Sequence, residues 1–244
     1  MATVIAGISG AIGAALAEYY LEATDQTVIG LCRDPGQVGQ KLRGHPRIEL
    51  IAWRAEGTPD GSLRDRLTDS LAMGDVVENL IYAAGLLHDD AMFPEKRLED
   101  LEADHLLRAF QVNALGFGLL VRELLPLLRG KHLKRVAAVS AKVGSISDNH
   151  LGGWYAYRCS KAALNMLVKN LSVELPRRCS PIACVALHPG TTESSLSEPF
   201  RQSLAKLTVH EPAETAGNLY AVLSSVTDAD NGRFINWDGS DLPW

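Results

Sequence analysis

The chain has 244 residues, 46% of them hydrophobic and 22% charged, with 24 basic against 29 acidic side chains and a formal net charge of −5. A chain of this length hides most of its apolar surface in one core without disulfides or metal, and its ordinary charge and hydrophobicity exclude disordered, collagen-like and coiled-coil compositions. With a sequence pI near 5.8 and no basic run, nucleic acid is excluded as the main partner.

The uncharged first 17 residues end in Ala15-Leu16-Ala17, which looks like a leader cleavage site. They lack the basic start of a leader, and Gly7, Gly10 and Gly13 punctuate the apolar stretch, so they read as folded structure. No other uncharged stretch approaches the roughly 20 residues needed to span a bilayer. Four irregularly spaced cysteines (Cys32, Cys159, Cys179, Cys184) fit neither a disulfide framework nor a zinc site, and no two histidines have helical metal-ligand spacing. The expectation is a soluble cytoplasmic protein with no metal site and no membrane contact.

In chain order, strands are expected at 3–6, 27–32, 48–52, 77–83, 135–139, 182–187 and 234–236. Helices are expected between them at 11–23, 62–73, 101–128, 155–175 and 213–224. In the fourth helix Leu164, Leu167, Val168, Leu171 and Leu175 recur at steps of three and four and give one apolar face. Strands alternating with helices imply an α/β Rossmann fold: one doubly wound domain over 1–244, a parallel sheet of about seven strands with helices on both faces. The loops after the fourth strand (85–97) and the sixth (188–209) leave strand carboxyl ends, where such sheets bind ligands.

The first strand runs into Gly7-Ile8-Ser9-Gly10-Ala11-Ile12-Gly13 and then a helix. Backbone N–H groups of such a turn, with the helix dipole behind them, suit a pyrophosphate; Gly7 and Gly10 allow the turn and Gly13 lets the helix pack close to the strand. The second strand ends Leu31-Cys32-Arg33-Asp34. Cys32 stands where a ribose-binding acid is expected and Arg33 follows, which favours NADP(H) over NAD(H); Asp34 leaves NAD(H) open.

Tyr157 and Lys161 lie four residues apart on one face of the fourth helix. A phenol needs a nearby positive charge to exchange its proton at working pH. One charge at about 5 Å with a dielectric near 20 supplies roughly 3 kcal/mol, or about 2.4 pKa units.

Gly7 to Gly13, Asn113, Ser140 and Tyr157-x-x-x-Lys161 occur in the order and spacing of the short-chain dehydrogenase/reductase family, and the resemblance covers essentially the whole chain. The branch it most resembles holds C-factor-like proteins and sniffer-type carbonyl reductases. That likeness is carried by Ser140-Ala-Lys-Val-Gly-Ser145-Ile, the stretch from Gly152 to Asn165, His188-Pro-Gly-Thr and the terminal Trp237-Asp-Gly-Ser-Asp-Leu-Pro-Trp244.

The resemblance implies hydride transfer between a nicotinamide and a carbonyl or alcohol of a small organic substrate. It implies Tyr157 as acid and base, Lys161 lowering its pKa and holding the nicotinamide ribose, Ser140 donating to the reacting oxygen, and Asn113 holding a relay water. Ala84 and Gly85 would leave room for the adenine ribose, Pro189, Gly190, Thr191 and Thr192 would cover the nicotinamide amide, and the segment after them would close over substrate. It also implies a homodimer or homotetramer through the third and fourth helices. A regulatory or cell–cell signalling protein with little turnover is the alternative.

Several positions depart from the family pattern. Ala11 replaces a glycine of the phosphate turn, and Tyr82-Ala83-Ala84-Gly85 stands where two asparagines are usual. No aspartate follows the third strand for the adenine, with Glu56 a candidate, and Ala141 takes the place of a frequent serine, leaving Ser140 or Ser145. His188 and Cys159 read as structural; Trp154, Trp237 and Trp244 line a substrate mouth or serve packing.

Overall fold

Successive residues of a strand point to opposite faces of a sheet, and here both faces are covered. Val4, Ala6, Leu80, Tyr82, Val136 and Ala138 enter one buried cluster with Phe117, Leu120, Leu164 and Val168. Their neighbours Ile5, Ile81, Ala137 and Val139 enter a second with Leu16, Tyr20, Leu219 and Val222. Two apolar layers on either side of continuous apolar strands are the physical reason for the doubly wound arrangement.

The computed structural model describes residues 1–57, 61–71, 75–200 and 208–244. Its main sheet comprises β1 (Ala2–Ala6), β2 (Thr27–Cys32), β3 (Ile48–Ala52), β4 (Val77–Tyr82), β5 (Lys134–Val139), β6 (Ile182–His188) and β9 (Phe234–Asn236). The seven strands are parallel in the order β3-β2-β1-β4-β5-β6-β9. All seven expected strands are present. A separate parallel pair, β7 (Thr191–Thr192) with β8 (Val209–His210), is additional to them.

The helices are α1 (Ala11–Ala23), α2 (Gln40–Arg43), α3 (Ser62–Ser70), α4 (Ala103–Phe110), α5 (Gly116–Leu124), α6 (Tyr155–Glu174), α7 (Pro176–Cys179) and α8 (Pro212–Ser225). Of the expected helix 62–73, the last two residues lie outside the described ones. The helix expected at 101–128 is corrected: α4 and α5 are separated by a π turn at Gln111–Leu115, and a tight 3-10 turn at Leu125–Leu128 follows α5. Tyr82 on β4 is the physical reason on the sheet side, because its buried hydroxyl donates to the Val112 carbonyl at 2.5 Å and satisfies a group within the wide turn.

The stretch 103–128 is long and apolar enough to be considered for a membrane span. Half of its most apolar window is buried within the fold, as expected of a core helix. The strand order reverses between β1 and β4, and the carboxyl ends of these two strands open the crevice described next.

Candidate active site

A cavity of about 810 Å³ runs along the carboxyl ends of the strands. Its floor at the β1 end is the glycine turn. Gly7 holds φ at +89°, and a Cβ there would meet the Ala84 backbone nitrogen at 2.6 Å. A Cβ on Gly13 would run into the Gly7 carbonyl, so this glycine sets the approach of α1 to β1 without itself lining the cavity. Gly7, Ser9, Gly10, Ala11 and Ile12 do line it.

α1 begins with no side-chain cap and no acidic residue in its first turn. Its opening N–H groups and dipole therefore suit an anion, and Ala11 in place of glycine leaves the turn intact. These residues fit a dinucleotide pyrophosphate.

At the end of the cavity near β2 and β3 stand Cys32, Arg33, Trp53 and Glu56, with Ala84 and Gly85 following β4. Arg33 is exposed and lines the cavity. The Asp34 carboxylate instead accepts the Gly36 N–H at 2.8 Å and caps the turn after β2.

The other end is built on α6. Tyr157 and Lys161 both line the cavity, with the Lys161 Nζ 5.7 Å from the centre of the tyrosine ring. Lys161 is buried and donates to the Val139 carbonyl at 2.9 Å. Burial raises the phenol pKa of Tyr157 above its ordinary value. It also pushes the Lys161 ammonium down to about 8. The four-residue spacing alone predicts a phenol lowered by its lysine; in the fold, desolvation penalises both charged forms and acts against that attraction.

Asn113 sits within the π turn, fully buried, and does not line the cavity. Its amide nitrogen donates to the Leu86 carbonyl at 2.8 Å and to the Ser160 hydroxyl at 2.9 Å, and its oxygen accepts the Leu86 N–H at 2.7 Å. Ser160 in turn donates to the Tyr157 carbonyl at 2.8 Å. The asparagine thus ties the loop after β4 to the first turns of α6.

Ser140 lies at the cavity wall directly after β5, and its hydroxyl donates to Asn165 Oδ1 at 2.6 Å. Ser145 does not line the cavity; its hydroxyl donates to the Trp244 carbonyl at 3.2 Å.

Pro189, Gly190, Thr191 and Thr192 form the opposite wall, with the Thr192 and Thr215 hydroxyls 2.9 Å apart. His188 also lines it and accepts the Lys142 N–H on Nδ1 at 3.3 Å. Burial and the Lys142 charge push its imidazole down to about 4, so it is neutral at working pH. Trp237 packs on His210 at 4.6 Å between ring centres and Trp244 stacks on Phe234 at 5.4 Å. Of the three tryptophans weighed for the mouth, only Trp154 lines the cavity.

Trp154, already a candidate for the substrate mouth, and Glu95, which carries no motif signal, also shape the site. Trp154 is the one described non-glycine residue with positive φ, +51°, a left-handed conformation that costs roughly 1–2 kcal/mol. Its N–H donates to the Glu95 carbonyl at 2.6 Å, and the buried Glu95 carboxylate accepts the Ala156 N–H at 3.2 Å. Glu95 therefore supplies from another loop the cap that α6 lacks locally. A lone glutamate in a loop gives no hint of this in sequence.

The model of the family described as short chain dehydrogenase matches residues 1–205. The chain belongs to the short-chain dehydrogenase family. It is an NAD(P)-dependent oxidoreductase of that family, in the branch that includes sniffer-type and C-factor-like proteins. It is 37% identical over 147 residues to the C-signal protein of Myxococcus xanthus, covering 60% of this chain and 83% of that one. It is 29% identical to the short-chain dehydrogenase srdF of Neurospora crassa, covering 98% of this chain and 96% of that one. Among solved structures it is similar to the carbonyl reductase Sniffer of D. melanogaster, with a TM-score of 0.85 at 25% identity, covering 100% of this chain and 99% of that one. An NADPH-bound carbonyl reductase from chicken fatty liver gives a TM-score of 0.84 at 26% identity, over 99% of this chain and 98% of that one.

Proposed function

We propose that this protein is an NADP(H)-dependent carbonyl reductase in which Tyr157 delivers the proton. The observation that carries the reading is that Tyr157, Lys161, Ser140 and the uncapped start of α1 face one continuous cavity. Bound there, the reduced nicotinamide would supply a hydride to the carbonyl carbon.

Gly7, Ser9, Gly10, Ala11 and Ile12 would hold the pyrophosphate, while Ala84 and Gly85 make room for the ribose. Pro189, Gly190, Thr191 and Thr192 would bound the nicotinamide. The preference for NADP(H) is supported by Arg33 lining the cavity while the Asp34 carboxylate is occupied in its own turn.

Tyr157 keeps its proton at neutral pH because burial disfavours the phenolate, which suits an acid that protonates a carbonyl oxygen. Lys161, held on the Val139 carbonyl, places a positive charge beside the tyrosine, where it stabilises the phenolate left after proton delivery. Ser140 can serve the reacting oxygen by turning its hydroxyl away from Asn165. Asn113 acts by positioning Leu86 and the first turns of α6, since its side-chain groups are already engaged.

Steady NADPH consumption with a panel of ketones, reduced by about two to four orders of magnitude in Tyr157→Phe, is the expected result. Turnover unaffected by that substitution would overturn the reading. The likeness to C-signal supports a second reading, cofactor-dependent signalling with little turnover. Tight NADPH binding without consumption of any carbonyl would favour it. Self-association is supported by exposed Leu107, Leu115, Met166 and Val173 on the 103–128 stretch and α6. Light scattering at a dimer or tetramer mass is expected.

A further inference from the structure

We infer that His188 donates a hydrogen bond from Nε2 to the carbonyl oxygen being reduced, as a further catalytic residue beside Tyr157. This inference rests on the carbonyl-reductase reading above.

The strand ends place the imidazole with the reacting groups. His188 closes β6 and Ser140 directly follows β5. The Ser140 N–H donates to the Leu187 carbonyl at 2.8 Å, so Ser140 and His188 lie side by side. Val139 and Leu187, the residues before them, pack into the cluster shared with α1 and α8. Alternation along a strand turns the next residues, Ser140 and His188, to the opposite face, where α6 lies. The bond from Ser140 to Asn165 of α6 follows that direction, and Lys161 of α6 reaches the same strand end at the Val139 carbonyl. His188, Ser140, Ala141, Tyr157 and Lys161 all line the cavity.

His188 brings a free donor to this strand end. Its Nδ1 accepts the Lys142 N–H at 3.3 Å, which leaves the ring proton on Nε2. Nε2 has no partner among the described residues and is not sealed from solvent. Burial and the Lys142 charge outweigh the opposing charge of Asp238 and push the imidazole down to about 4, so the ring stays neutral and keeps that single proton at working pH. The neighbouring positions are less ready to serve. Ser140 must give up its 2.6 Å bond to Asn165, and Ala141 has no hydroxyl. Negative charge develops on the carbonyl oxygen as it is reduced, and a donor already in place meets that charge without reorganisation. A neutral imidazole suits the task because it polarises a carbonyl without surrendering its proton.

The test uses the full chain, saturating NADPH and whichever of cyclohexanone, acetophenone and 2,3-butanedione wild type reduces fastest. His188→Asn can still accept the Lys142 N–H but is too short to bring a donor to the place of Nε2, whereas His188→Gln can carry its amide there. The asparagine variant is expected to lose about 10- to 100-fold in kcat and equally in kcat/KM, with NADPH affinity within about threefold of wild type. The glutamine variant should recover kcat to within about fivefold of wild type. His188→Met, of similar length and without a donor, takes the place of the asparagine variant where that one fails to fold, with the same loss expected. A kcat within twofold of wild type without the donor, equal losses in the donor and donorless variants, or a loss confined to NADPH affinity overturns the inference and leaves the reductase reading standing. Wild-type protein that binds NADPH yet reduces none of the three ketones overturns the reading itself, and the inference with it.

Discussion

Lys161→Met should make the protein more stable near neutral pH while abolishing its turnover. Burial holds the ammonium at about 8 against its ordinary value of 10.5, a difference equivalent to about 3 kcal/mol. Since the folded pKa lies below the unfolded one, the folded protein binds fewer protons between these two pH values, and stability rises with pH across that window. Below pH 8 the full penalty of the buried charge is present.

Methionine removes the penalty but leaves the Val139 carbonyl without its donor, which costs about 1–3 kcal/mol, so the net gain near neutral pH is about 0–2 kcal/mol. The stronger signature is the pH trend. Urea unfolding of both proteins near neutral pH and near pH 10 should show the variant's advantage shrinking by about 2–3 kcal/mol over the interval. A difference that stays constant within about 0.5 kcal/mol would refute the argument that this lysine is held charged against desolvation.

Arg33→Ala should raise the KM for NADPH by about 10- to 100-fold with little effect on NADH, as loss of a charge-assisted contact requires, which parallel titrations of the two cofactors would measure. Gly13→Ala should destabilise the fold by about 1–3 kcal/mol, read from the urea midpoint, because its methyl group meets the Gly7 carbonyl. Ser140→Ala should lower kcat by about two orders of magnitude while Ser145→Ala keeps most of it, a contrast that steady-state kinetics decides.

The glycine turn was legible because its requirement is local: a strand, a tight turn and a helix within a few residues, with Gly7 at φ +89° where a side chain would be strained. The Tyr157 and Lys161 pair was legible for the same reason, since a four-residue step on a helix fixes a shared face. Asn113 is legible as a motif residue, but its partners are not, because Leu86 and Ser160 meet it only where the π turn packs between the loop after β4 and α6. Its helix was read as continuous because the apolar pattern carries on through the π turn. Ser140 and Ser145 both follow β5; that the first lines the cavity while the second donates to the Trp244 carbonyl is set by the turn between them, and no spacing rule contains that.

What the sequence alone determined is therefore the alternation of strands and helices along the chain, the glycine turn and the tyrosine–lysine face, all set by short-range periodicity and backbone geometry. What only the tertiary structure decided is the state and surroundings of those groups. Burial moves the pKa of Tyr157 up and that of Lys161 down, Glu95 caps a helix some sixty residues away, and the Phe200 ring packs on Trp154 beside Tyr157. Desolvation and packing are properties of everything that surrounds a residue, and those neighbours are chosen by the fold, not by adjacency along the chain.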